Sequence, residues 1–140
     1  MRPTREAWAM AVAEVTAKRS TCLRRTVGCV LLNARGHVLA TGYNGVAAGR
    51  PHCNEEELTY EGPFDRTPQT RHLNACEGAC SPSGTNLDGC EAIHAEQNAL
   101  LQCKDVYAIH SCYCTTSPCV TCVKLLLNTS CEVIYFKEEY

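Results

Sequence analysis

The segments Ile93-His94-Ala95-Glu96-Gln97-Asn98-Ala99-Leu100-Leu101-Gln102-Cys103 and Ser117-Pro118-Cys119-Val120-Thr121-Cys122 decide how this chain folds. Ala95, Ala99, Leu100 and Leu101 predict a helix over His94–Cys103. A second helix is expected over Cys119–Asn128, and Pro118 costs nothing at its start because the first N–H groups of a helix lack intrahelical partners. Val106–Cys114 and Cys131–Phe136 read as strands, so two βα units follow one another. Both helices open on metal-binding side chains. His94 stands two residues before Glu96, while Cys119 and Cys122, at i and i+3, share one helix face. Thiols at a helix N-terminus feel the positive end of the dipole, which favours the thiolate that binds metal. The 25 residues from His94 to Cys119 accommodate a helix, a strand and a turn, bringing the two helix starts together at one edge of a sheet. A ring nitrogen of His94, Nδ1 or Nε2, with two sulfurs suits zinc, and three protein ligands leave the fourth tetrahedral position for water. Glu96 is left to move protons. A lone C-x-x-C would equally suit a redox pair or half a structural zinc site; the ordered combination carries the reading.

Towards the N-terminus, Pro3–Ser20 is expected to be a helix, with Trp8, Val12 and Val15 as its apolar stripe, Glu6 in the first turn and Lys18 and Arg19 in the last. Ala7–Val15 carries Glu14 and lacks a small-residue cleavage site after it, so it reads as an amphipathic helix rather than a signal peptide. Val27–Asn33 is a nearly continuous apolar run, as in a strand buried on both faces. Asn33-Ala34-Arg35-Gly36 is turn chemistry, and His37–Tyr43 returns as the second strand of a hairpin. From Asn44 to about Gly89 the chain is rich in Gly, Pro, Asn and charge without periodicity. Such a stretch inside a small domain is functional or held by something else.

The 140 residues, 45% hydrophobic and 20% charged, are expected to form a single domain, 1–140, with a loop-rich, zinc-stapled insert at about 45–91. A net charge of −2 and 6% aromatic residues argue against a surface that wraps nucleic acid. No apolar run of about 18 residues exists to span a membrane. Twelve cysteines would fit a disulfide framework in a secreted protein, but without an export signal a reduced, cytoplasmic chain is expected (host cytoplasm for a viral one). Cys29, Cys103, Cys112 and Cys131 lie in apolar segments and behave as small hydrophobes. Cys22, Cys53, Cys76, Cys80 and Cys90 lie in loops, where that explanation fails. Cys22, Cys53, Cys76 and Cys90 are the expected ligands of a second, structural zinc that orders the insert, with Cys80 or His52 as substitutes and free thiols as the alternative. Ala92 offers no ligand beside Glu91, in keeping with an all-sulfur site.

Three further groups draw attention. Thr41-Gly42-Tyr43-Asn44-Gly45 ends the hairpin; glycines there permit close backbone approach and Asn44 offers a donor and an acceptor to a sugar, although an Asn-Gly turn without a ligand would look the same. Arg24, Arg25 and Thr26 precede the first strand and either clamp a phosphate or form a solvated surface pair. Ser81, Ser83 and Thr85 are further phosphate candidates. His37, His72 and His110 sit in no motif and are read as structural, His110 in mid-strand.

WAMAVAEVTAKRS (8–20), CLRRTVGCVLLN (22–33), TGYNG (41–45), IHAEQNALLQC (93–103), YCTTSPCVTC (113–122) and CEVIYF (131–136) together resemble the zinc-dependent cytidine and deoxycytidylate deaminase family, the dCMP deaminases in particular, along nearly the whole chain. The pattern H-x-E…P-C-x-x-C is the signature of zinc nucleobase deaminases. The resemblance implies an α/β, cytidine-deaminase-like three-layer α-β-α fold with a mixed, about five-stranded sheet. It implies hydrolysis of dCMP to dUMP and ammonia, with Glu96 passing a proton to ring N3 and then to the leaving amine. It further implies a homohexamer activated by dCTP with Mg²⁺ and inhibited by dTTP, with Gly42, Tyr43, Asn44 and Gly45 contributing to the allosteric site. By the same resemblance Asn44 holds the substrate sugar, Tyr140 stacks on the base, and Ala95 and Ser117 adjoin the substrate. Two other readings use the same residues. A deaminase of bases in nucleic acid would need a basic, aromatic-lined groove, and a non-catalytic zinc-stapled module would need a closed four-ligand site and no role for Glu96.

Overall fold

All five residues of strand β1 (Gly28–Leu32) are buried, so something covers each face of the sheet in which it lies. The computed structural model describes residues 1–21, 25–45 and 93–138. Among these, helix α1 (Arg5–Ala17) precedes β1 and β2 (Val38–Tyr43), then come α2 (Ala95–Gln102), β3 (Ser111–Thr116), α3 (Val120–Leu127) and β4 (Val133–Glu138). The strands are ordered β2-β1-β3-β4. β1 runs antiparallel to both β2 and β3, whereas β4 is parallel to β3, which makes the sheet mixed as expected. The described residues contribute four strands rather than about five. No helix among them is long and apolar enough to cross a membrane.

Alternation along β1 divides the core in two. Val30 and Leu32 point to one side and pack with Ala9 and Ala13 of α1 and Tyr113 of β3. Cys29 and Leu31 point to the other, where they meet Ala95 and Ala99 of α2, Leu126 of α3, Ala40, Ile109, Cys112 and Cys114. The result is helix, sheet and helices in three layers. The hairpin turn is built as its composition suggests: the Asn33 side-chain oxygen accepts from the Arg35 and His37 amides, each at 3.0 Å, and Gly36 takes φ 83°.

Four expectations are corrected, two in α1 and two around β3. The face of α1 that meets the sheet is not the Trp8–Val12–Val15 stripe, since Trp8 is 39% and Val15 64% exposed. The buried stripe is Ala9, Ala13 and Ala17. Its cause lies in β1, where Gly28 has no side chain and a Cβ would collide with the Ala13 carbonyl and the Ala17 amide. Helix and strand come closest at Ala13 and Ala17, over Gly28, while Met10 and Val12 pack at the margin of the same core. The helix is also shorter than 3–20, with Thr4 as cap, its hydroxyl oxygen accepting from the Ala7 amide at 3.1 Å. The expected strand over Val106–Cys114 splits. Asp105 Oδ1 accepts from the Tyr107 amide at 3.0 Å and caps a single 3₁₀ turn, Val106–Ala108, before β3 begins at Ser111. His110 therefore precedes the strand, with Nε2 3.3 Å from Glu132.

α2 packs on β2 by the same device. A Cβ on Gly42 would collide with the Ala95 carbonyl and the Ala99 amide, and Asn98 Nδ2 donates to the Tyr43 carbonyl at 2.8 Å alongside. Gly42→Ala is therefore expected to cost about 1–3 kcal/mol, the usual range for overpacking a tight interface. In Gly45→Ala the added carbon meets side chains rather than backbone, Thr21 Oγ1 at 3.2 Å and the edge of the Tyr43 ring at 3.7 Å, and the loss should be smaller. Thermal unfolding of the two variants beside the parent chain checks the order.

Candidate metal centre and active site

The Gly42 contact fixes where α2 begins, and His94 is its N-cap in extended backbone geometry. The Gln97 side-chain oxygen accepts from the His94 amide at 3.0 Å, which holds the cap residue and leaves its ring to project from the helix start. Across the site β3 ends at Thr116, and the Ser117 amide donates to the Glu138 carbonyl at 2.7 Å. Pro118 follows, and Cys119 caps α3. Cys122 lies in the first turn of α3, fully buried.

Three atoms converge from these two helix starts. His94 Nδ1 stands 3.3 Å from Cys122 Sγ and 3.5 Å from Cys119 Sγ, and the three lie within 4.8 Å of one another. The nitrogen facing the sulfurs is thus Nδ1. Glu96, one position beyond Ala95 in α2, is 4% exposed. Burial, followed by the nearby Glu96 carboxylate, pushes the Cys122 thiol well up from its ordinary value. A buried thiol held up in this way becomes a ligand when a cation supplies the compensating charge. One imidazole nitrogen and two sulfurs at this spacing are a donor set that zinc accepts, and the described residues bring no fourth ligand to it. His94, Cys119 and Cys122 are therefore the residues that fit the metal.

Asn44, 8% exposed, has a structural task. Its Oδ1 accepts from the Val27 amide at 2.9 Å, and its Nδ2 donates to the Arg25 carbonyl at 2.5 Å. The side chain thereby pins the segment entering β1 to the end of β2, keeping one further N–H and one lone pair in reserve. Arg25 is half-buried there and Thr26 is exposed. Ala95 is buried in the first turn of α2. Gly42 lies beneath α2, Tyr43 receives the Asn98 hydrogen bond, and Gly45 pairs with Ile93 in an isolated antiparallel bridge. This bridge brings the TGYNG segment beside the residue before His94. Cys22, Arg24, His52, Cys53, His72, Cys76, Cys80, Ser81, Ser83, Thr85, Cys90, Glu91, Ala92 and Tyr140 lie outside the described residues, as does the insert beyond Gly45.

Gln97 and Asn98 escaped the reading of the sequence. A Gln three residues after a helix cap is a legible signal; Asn98 had none, because its partner is a backbone carbonyl on another element.

Residues 3–138 match the family described as "Cytidine and deoxycytidylate deaminase zinc-binding region". The chain is 37% identical over 137 residues to the deoxycytidylate deaminase of Schizosaccharomyces pombe, covering 96% of this chain but 37% of that protein. It is 33% identical over 139 residues to the deoxycytidylate deaminase of Mycobacterium phage D29, covering 98% of each. Its fold is similar to that of the crystal structure of dCMP deaminase from the cyanophage S-TIM5 in complex with dCMP and dUMP, with a TM-score of 0.67 and 27% identity, covering 100% of this chain and 85% of that one. The chain thus spans well under half of the yeast relative and nearly all of the phage one.

Two outcomes are expected at this site. His94→Ala removes one donor of three, so zinc per chain, measured by elemental analysis of dialysed protein, should fall relative to the parent. Asn44→Ala leaves the Val27 amide and the Arg25 carbonyl without their partner, at about 1–3 kcal/mol for each group left buried and unsatisfied, which chemical denaturation measures.

Proposed function

Because the chain belongs to the cytidine and deoxycytidylate deaminase family, we propose that it hydrolyses the exocyclic amine of dCMP, yielding dUMP and ammonia. The observation that carries this is the convergence of His94 Nδ1, Cys119 Sγ and Cys122 Sγ beside the buried carboxylate of Glu96. A site closed by four ligands would need no such carboxylate.

Zinc, when bound by the three residues, supplies a Lewis acid that makes water a nucleophile near neutral pH. Glu96 takes the proton from the attacking water and delivers it to ring N3. It then takes the proton of the hydroxyl newly added at C4 and passes it to the amine, which departs as ammonia while C4 becomes a carbonyl. Its burial keeps bulk solvent from intercepting that proton. Asn44, already held by two backbone groups, keeps a donor and an acceptor for the sugar hydroxyl. Arg24, Arg25 and Thr26 are assigned to the monophosphate, Ala95 and Ser117 to the neighbourhood of the base, and Tyr140 to stacking on it. Activation by dCTP with Mg²⁺, inhibition by dTTP, the Gly42–Gly45 effector segment, a hexameric assembly and a second zinc at Cys22, Cys53, Cys76 and Cys90 belong to the same reading and rest on the resemblance. A strand-binding deaminase is disfavoured by the net charge of −2, since such proteins draw their affinity from basic surfaces.

The test is ammonia release from dCMP, deoxycytidine, dCTP and a cytosine oligonucleotide, each with and without dCTP or dTTP as effector. Turnover of dCMP, raised by dCTP and lowered by dTTP, is expected; turnover of the oligonucleotide or the nucleoside instead would retain the chemistry and replace the substrate. Glu96→Gln should keep its zinc and lose about 10²–10⁴-fold in rate, the usual contribution of a positioned acid–base group. A near-normal rate in that variant removes Glu96 from the role.

A further inference from the structure

Behind the metal centre the sheet presents three more sulfurs. Cys112 and Cys114, two residues apart on β3, point to the same side, and Cys29 of β1 is the register partner of Cys114. Cys112 Sγ lies 3.5 Å from Cys29 Sγ and 3.5 Å from Cys114 Sγ, and all three sulfurs fall within 4.8 Å of one another. Each of these cysteines is 0% exposed. As isolated core residues they would count as small hydrophobes. Three at touching positions of two adjacent strands, where a doubly covered sheet ordinarily carries Val, Ile or Leu, form a donor set.

We propose that Cys29, Cys112 and Cys114 form a buried three-sulfur site for a soft monovalent cation of the copper(I) class. Sulfur ligands select soft metals. A structural zinc takes four ligands, and among the described residues the cluster offers three donors, with Leu31, Ala95, Ala99, Ile109 and Leu126 as its apolar companions. A monovalent closed-shell ion is satisfied by three sulfurs and brings little charge into an apolar core. Hydrogen bonding with Cys114 and then Cys29 lowers the Cys112 thiol, while Cys29 and Cys114 are both raised, so Cys112 is the sulfur of the three that gives up its proton most readily. The Glu96 carboxylate acts on both Cys29 and Cys112, disfavouring extra thiolates and favouring a cation. On uptake one thiol proton, that of Cys112, leaves to solvent in exchange for the monovalent cation. Cys29 and Cys114 bind as thiols, the net charge of the core is unchanged, and no electron changes hands. The bound ion ties β1 to β3, so it stabilises the folded state by mass action. None of this depends on which base the neighbouring site attacks.

The experiment uses full-length, zinc-loaded protein, reduced and kept anaerobic, titrated with Cu(I) against a competing copper(I) chelator. Copper and zinc per chain are counted for the parent, Cys112→Val and Cys29→Val. The parent should hold one more Cu(I) per chain than either variant, with its zinc unchanged and its melting temperature raised on copper addition. Equal copper in parent and variants, or copper gained only as zinc is lost, overturns the proposal. Anomalous diffraction at the copper edge from crystals of the copper-loaded parent decides the matter even where a variant does not fold. A peak among the three sulfurs supports the site, and a peak elsewhere or none overturns it.

Discussion

The contact between Gly42 on β2 and the backbone of α2 at Ala95 and Ala99 governs where the chemistry can occur. Because neither surface carries more than a methyl group there, helix and strand approach until the helix backbone itself fills the space over the glycine. Asn98 then spends its amide on the Tyr43 carbonyl, and the Gly45–Ile93 bridge locks the chain just before the helix. His94 is left as the cap and Glu96 as a buried residue in the first turn, which fixes the direction in which each leaves the helix. Gln97 removes what freedom remains at the cap.

On the other side of the site the parallel pairing of β3 with β4 does the equivalent work. It carries the chain to Ser117, whose amide is tied to Glu138, and delivers Cys119 and Cys122 at the start of α3. Two helix N-termini thus face a common point. The dipoles favour anionic ligands, while burial and the Glu96 carboxylate oppose ionisation of Cys122. Opposed tendencies of this kind are what a bound dication would resolve, because its charge offsets both the burial and the neighbouring carboxylate. The sulfur-rich core beneath, formed by Cys29, Cys112 and Cys114, is built from two strands and sulfur alone, without an imidazole or a helix N-terminus.

Much of the architecture was legible because it is written in local chemistry. The helix starts at His94 and Cys119, the Asn33–Gly36 turn and the doubly buried β1 each follow from a handful of neighbouring residues. What misled was local chemistry as well. Trp8, Val12 and Val15 form a better apolar stripe than Ala9, Ala13 and Ala17, yet the alanines face the sheet, because the helix backbone lies against Gly28 at Ala13 and Ala17; of the larger three only Val12 packs at the edge of that core. The apolar run from Val106 looks continuous, but Asp105 offers its carboxylate to the Tyr107 amide and turns the chain once before the strand.

The sequence by itself determined the ligand types, their order and the spare carboxylate, since spacing along a helix decides which side chains share a face. It also determined the family to which they belong. Only the tertiary structure decided that Nδ1 of His94 is the nitrogen facing the sulfurs, that Asn44 is committed at both ends of its amide to Val27 and Arg25, and that Cys29, Cys112 and Cys114 meet. Those facts depend on strand register and on how closely α2 lies on β2. Both are set by contacts between residues far apart in the chain, whose partners no local pattern names.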